Sequence, residues 1–278
     1  MMMLKGKVEE IGAYETMKKI HELGFHSVEV SQIPMTTENV KEIKQASDDF
    51  GIDITAITAP LEPMMPGQIQ ENLRDDYDKI IADCKALNCN FIRIGMLPFS
   101  IMGDKEQILE FIDRAENTAK RLTEEGIKLY YHTHHIEFQR FDGKFLLDIM
   151  KENTSQLGFE LDVHWIHRAG VDPVSFIKQY KDRVSLIHLK DYRIGNLDVT
   201  EEDLKDMGNF FNKFVNLIEF AEVGGEGNLN MPAIMEASLE AGAKYFLIEQ
   251  DDTYGRDPFD CLYDSAENLR KMGYADWF

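Results

Sequence analysis

The sequence predicts an α/β protein, a (β/α)8 TIM barrel with a short or truncated first strand. Strand-like runs rich in β-branched and aromatic residues alternate with helix-like runs at roughly thirty-residue spacing, the length of a βα unit. The chain has 278 residues and shows no linker or shift in composition, which suits one barrel domain over residues 1–278. No Gly-x-Gly-x-x-Gly fingerprint follows any strand, and this disfavours a doubly wound nucleotide-binding sheet.

In chain order, residues 14–23 carry Met17, Ile20 and Leu23 on one helical face, and Gly24 stops that helix. A strand is expected at 27–31. Thr36, Thr37, Glu38 and Asn39 cap the next helix, which runs to Phe50 and ends at Gly51. A strand at 52–57 leads into the loop 59–67, whose three prolines precede a helix over 72–87. Strand 90–95, helix 105–125 and strand 127–132 follow, then a short helix at 145–151 and strand 157–162. Pro173 sits in the first turn of helix 173–180. After strand 184–189, residues 192–227 break the rhythm as an insertion, with an extra strand at 216–220. Helix 232–239, strand 244–250 and helix 264–272 complete the chain. Seven strands are clear, and only residues 1–4 remain for an eighth.

The chain carries 50 acidic and 30 basic residues, a formal net charge of -20. Nucleic acids and anionic membrane surfaces need a basic footprint and are excluded as partners. No apolar window is long enough for a membrane span, and the N-terminal apolar run is too short for a signal peptide. Cys84, Cys89 and Cys261 lack paired spacing, which fits a reducing compartment and a cytoplasmic location. Homo-oligomerisation is left open.

In a (β/α)8 barrel the active site lies where the strands end and the βα loops begin. Strand 127–132 ends in His132, with His134 and Glu137 just beyond. Strand 157–162 ends in Asp162, followed by His164 and Trp165. Strand 184–189 contributes His188, then Lys190 and Asp191, and the last strand delivers Glu249. Each residue alone has a structural explanation, since backbone carbonyls satisfy histidines and carboxylates cap helices. Four successive strand ends together point to function. Mixed carboxylates and imidazoles suit a divalent ion such as Mn²⁺, Co²⁺, Mg²⁺ or Zn²⁺, and the absence of thiolates disfavours a structural zinc site. An ion chelating a hydroxyl and a carbonyl oxygen acidifies the neighbouring C–H, and flanking acid–base groups can move the proton.

Several segments carry a further likeness: Leu23-Gly24-Phe25-His26-Ser27-Val28-Glu29-Val30, Tyr131-His132-Thr133-His134-His135-Ile136-Glu137-Phe138, Leu161-Asp162-Val163-His164-Trp165, Ala169-Gly170-Val171-Asp172-Pro173, Ile187-His188-Leu189-Lys190-Asp191, Val223-Gly224-Gly225-Glu226-Gly227 and Ile248-Glu249-Gln250-Asp251. In combination the chain resembles the sugar phosphate isomerase/epimerase superfamily, the xylose isomerase-like TIM barrels, over nearly its whole length. The resemblance implies one divalent ion, with Mn²⁺ expected, held by Glu, Asp, His and Glu from successive strand ends. It carries over Asp162, His188 and Glu249. His132 occupies the usual first-glutamate position, so Glu137 is the expected fourth ligand and His132 the alternative. By the same resemblance, His134 (or His132) and Glu249 form the acid–base pair and Lys190 holds a substrate oxygen or pairs with Asp191. Trp165, His164 and Arg193 contact substrate, with rim packing as the other reading of Trp165.

The function this implies is a metal-dependent isomerase or epimerase acting through an enediolate on a small ketose, keto-sugar or polyol derivative. The alternative keeps the site and changes the outcome: dehydration as in inosose dehydratase relatives, or β-elimination from a 3-keto-glycoside. Nuclease chemistry, as in related endonuclease IV enzymes, conflicts with the acidic charge. A non-catalytic sugar-binding barrel would not need so complete a set of ligand types.

Overall fold

The computed structural model describes residues 1–278. Seven parallel strands follow one another around the sheet in chain order: Ser27–Val30, Asp53–Thr58, Phe91–Ile94, Lys128–His132, Gly158–Asp162, Val184–Leu189 and Tyr245–Ile248. Every neighbouring pair is parallel. The first and last strands approach one another, giving a near-closed barrel wrapped by helices.

The expected short first strand is not formed. Met2–Leu4 is a single 3-10 turn that runs directly into the helix Lys5–Ile11. Four residues feeding a helix leave no extended segment, and Met1 N donates to Glu29 O of the adjacent strand at 2.6 Å.

Strand periodicity sorts the side chains into two sets. Tyr131, Phe159, Leu161, Ile187 and Leu189 point outward into the main core beneath the helices. The alternate positions face the barrel interior, where Ala56, Tyr130, Leu186 and Leu247 form a small apolar floor against Phe91 and Tyr245. Above that floor the same parity brings Glu29, Arg93, His132, Glu160, Asp162, His188, Lys190 and Glu249 inward, all of them buried.

Helix boundaries follow local chemistry. Thr36 Oγ1 accepts from Asn39 N at the start of Thr37–Phe50, and Gly51 closes that helix in the left-handed conformation. The insertion is a β-hairpin, Asp191–Ile194 against Ile218–Ala221, carrying the helix Met207–Val215. Its second strand is the one read at 216–220. The first strand is short and gave no clear signal; the helix was passed over although Met207, Phe210, Phe211, Phe214 and Val215 have helical spacing.

Candidate metal and active site

Four strand ends converge on one point. His132 Nε2 lies 3.2 Å from His188 Nδ1 and 3.6 Å from Asp162 Oδ2. His188 Nδ1 is 3.9 Å from Asp162 Oδ2 and in direct contact with Glu249 Oε2. Asp162 divides its labour: Oδ1 caps the helix Val163–Arg168 by accepting from His164 N and Trp165 N, while buried Oδ2 accepts no hydrogen bond. Donors about 2.1 Å from a tetrahedral ion stand roughly 3.4 Å apart. An orphaned carboxylate oxygen, two imidazole nitrogens and a second carboxylate at this spacing fit a divalent ion.

His188 has a second side. Its Nε2 lies 3.2 Å from Glu160 Oε1 and 3.5 Å from Glu29 Oε2, so donor groups for an ion could be drawn on that side as well. A cation stands beside each side: Arg93 Nε sits 2.8 Å from Glu29 Oε1 and 3.4 Å from Glu160 Oε2, and Lys190 Nζ sits 3.3 Å from Asp162 Oδ2 and Glu249 Oε1. The Nδ1 side, where two imidazoles and two carboxylates meet, is the candidate ion site, with Glu160 and Glu29 behind it.

Burial alone would strip His188 of its proton, but Glu160, Glu249 and Glu29 outweigh it and hold the imidazole well above its usual range. For Glu249 burial opposes ionisation, and His188 with Lys190 overcome it, keeping the carboxyl well below the usual range. Glu160 is pushed up to about 7 by burial and by Glu29. Burial, reinforced by Arg93 and His188, drives His132 far down, and His134 falls to about 2 through burial and the neighbouring His132. Both are neutral imidazoles at neutral pH, fit to ligate or accept a proton.

The site opens into a cleft of about 670 Å³ whose lining includes Arg93, His132, His134, Lys190, Glu249 and Asp251. Lys190 is fully buried at its edge, with Nζ 3.3 Å from both Asp162 Oδ2 and Glu249 Oε1 and 2.9 Å from Asp251 Oδ1. The Asp191 pairing is not made, because Asp191 Oδ1 accepts from Tyr192 N and Leu229 N.

The structure brings His132, His134, Asp162, His188, Lys190 and Glu249 together; it does not bring Glu137 or Arg193. Glu137 Oε1 accepts from Tyr131 OH at 2.6 Å and Oε2 from His134 N at 2.7 Å. Tyr131 belongs to the outward-facing set, and these two bonds hold Glu137, the expected fourth ligand, out of the cluster; His132, the alternative, lies within it. Arg193 faces Glu219 across the hairpin and pairs with it and with Glu226, at 3.3 and 3.2 Å. Trp165 stacks on His135 and lies 5.3 Å from Lys190 Nζ, with an unpartnered indole N–H. His164 is buried behind it against Phe220. Neither lines the cleft.

Glu29, Arg93 and Glu160 were missed. The signal was present: each is a charged residue flanked by apolar neighbours at an inward strand position.

The fold and site define a class: a parallel α/β barrel with an imidazole–carboxylate cluster on its C-terminal rim. Within it, the chain belongs to the xylose isomerase-like TIM barrel family, whose model matches residues 17–272. It is similar to an inosose dehydratase from Lacticaseibacillus casei, 26% identical over 165 residues, covering 56% of this chain and 54% of that protein. The chain thus spans about half the length of the curated relatives it matches. Among solved structures it resembles a sugar phosphate isomerase/epimerase from Parabacteroides distasonis (TM-score 0.72, 20% identity, 96% of this chain and 91% of that one). It also resembles a 3-keto-D-glucoside 4-epimerase from E. coli (TM-score 0.63, 16% identity, 93% and 94%). No helix is long and apolar enough to cross a membrane.

Proposed function

We propose that this protein is a divalent-metal-dependent sugar isomerase or epimerase acting on an uncharged ketose, keto-sugar or polyol derivative. The observation that carries the reading is the convergence of His132 Nε2, Asp162 Oδ2, His188 Nδ1 and Glu249 at one point, beside a polar cleft that His132 and Glu249 line. These four residues would hold the ion, with Mn²⁺ or Co²⁺ suited to the mixed set. When bound, the ion supplies Lewis acidity to a carbonyl and an adjacent hydroxyl oxygen.

The chain's own residues do the rest. His134, neutral and lining the cleft, takes the proton from the carbon beside the carbonyl. Lys190 keeps its ammonium charge: burial works against it, but Asp162, Glu249 and Asp251 prevail. It donates to the oxygen on which enediolate charge develops. His134, now carrying that proton, returns it, while Glu249, kept ionised by His188 and Lys190, stays with the ligand set.

Cleft charge supports an uncharged substrate. Arg93 and Lys190 are already paired with carboxylates, and Asp251 and Asp252 also line the cleft. Lys5 is the remaining cation there, donating to Gln32 Oε1 at 2.8 Å. A phosphate ester would meet more negative charge than positive.

The second reading is dehydration, favoured by the similarity to inosose dehydratase. The same proton removal, followed by Lys190 donating to a β-hydroxyl, expels water. Incubating the Mn²⁺-loaded protein with keto-sugars in D₂O separates the two by NMR. Deuterium entering with every hydroxyl retained supports epimerisation; loss of a hydroxyl supports the dehydratase. Exchange that survives complete removal of metal by EDTA overturns both.

A further inference from the structure

The helix Met207–Val215 presents an apolar stripe with nothing on it. Met207, Phe210, Phe211, Phe214 and Val215 recur at i, i+3, i+4, i+7 and i+8, one face of a helix. Yet no residue of this helix is buried. The helix is braced instead by polar contacts: Lys213 Nζ reaches Asp203 Oδ2 at 2.6 Å, and Asp203 is fixed by Thr200 N and Oγ1. Leu204, Ile194, Met207, Phe211, Phe214 and Val215 are all more than half exposed. None of them lines the cleft, so the stripe is not a wall of the site already described.

We propose that this stripe is the interface between two copies of the chain, paired about a two-fold axis through helix Met207–Val215. Area and charge both argue for it. The six side chains expose on the order of 700 Å² per copy, close to the ~800 Å² that each partner contributes to a standard interface. Each copy carries a formal net charge of -20, so two copies repel over most of their surfaces. From Met207 to Ile218 there is no carboxylate, and the single cation, Lys213, is already paired with Asp203. Over the helix face itself two copies meet without opposing carboxylates, the exposed Glu201, Glu202 and Asp206 lying beside Leu204 at its N-terminal edge, and an isologous contact sets the same stripe against itself. A membrane surface fits less well, because interfacial helices carry several Lys or Arg on the polar face and this one carries Asn209, Asn212, Asn216 and one lysine.

The test is the mass of the full chain in solution by light scattering and sedimentation, for wild type, Phe211→Glu/Phe214→Glu and the milder Phe211→Asn/Phe214→Asn. The wild type is expected to be a dimer. Both variants are expected to be monomers with an unchanged circular dichroism spectrum, the Asn pair deciding the matter where the Glu pair fails to fold. A wild type that stays monomeric at millimolar concentration overturns the proposal. So does a dimer that survives in the folded variants, and so does a monomer that cosediments with phosphatidylserine vesicles through this helix. None of these outcomes depends on the reading of the ion site.

Discussion

Tyr131 gives its hydroxyl hydrogen to Glu137 at 2.6 Å, and this bond decides on which side of the barrel wall Glu137 belongs. Tyr131 is completely buried in the outer core, whereas its neighbour His132 faces the barrel interior. A shift of one residue along a strand moves a side chain from one face to the other. Two groups close in sequence thus serve different parts of the fold.

The first prediction follows. Glu137→Gln is expected to keep its metal load, and His132→Ala or Asp162→Ala to lose it. Metal content after dialysis against Mn²⁺ or Co²⁺, read by plasma mass spectrometry, checks this. Loss of metal in Glu137→Gln with retention in His132→Ala would restore Glu137 as the ligand.

A second prediction concerns pH. Burial pushes the Glu137 carboxyl up to about 7 from its ordinary 4.5. The folded state holds this proton more tightly than the unfolded one, so the contribution to stability is complete below 4.5 and is lost as pH rises through 7. The loss amounts to about 3 kcal/mol. Glu137→Gln cannot titrate, so denaturant midpoints should show wild type losing stability relative to the variant between these values. Parallel curves for the two proteins would contradict the shift.

Glu160 faces His188 Nε2 at 3.2 Å from behind the ion site. Removing its charge by Glu160→Gln is expected to weaken Co²⁺ binding about 10–100-fold while leaving the stoichiometry at one, as outer-shell partners of a ligating histidine do. Chelator competition with the visible Co²⁺ spectrum measures it. An unchanged affinity in the folded variant would reduce Glu160 to a counter-ion for Arg93.

Lys190→Met should bind metal as well as wild type and yet slow substrate deuterium exchange about 10²–10³-fold, the usual cost of losing one preorganised donor to a developing oxyanion. Equal loss of metal and exchange would instead make Lys190 a prop for Asp162 and Glu249.

Gly158→Ala is expected to destabilise the protein by about 1–3 kcal/mol. A Cβ at this position would meet the Tyr130 ring at 2.6 Å, and Tyr130 is pinned by its hydrogen bond to Ser185 Oγ at 2.7 Å. Thermal unfolding reads the effect; an unchanged midpoint would show that the barrel floor can shift.

Seven strands, most helices and the strand-end positions of Asp162, His188 and Glu249 were legible in the chain because they obey local rules. Alternation of period two, caps such as Thr36 and stops such as Gly51 act within a few residues. The strand-end position of a histidine or carboxylate is itself a local fact.

What only the tertiary structure decided is which polar groups share a space. Glu29, Arg93 and Glu160 lie on three separate strands, and nothing local shows that Arg93 meets both carboxylates beside His188. Glu137 sits five residues from His132 and behind the wall, because Tyr131 and His134 N claim its oxygens. Arg193 meets Glu219 only once the hairpin register is set. Residues 1–4 could be assigned to a first strand only as long as their run into the helix Lys5–Ile11 was unseen. Periodicity determines which face a side chain takes. Which partners it meets depends on strands far apart in sequence, and that is a property of the near-closed barrel alone.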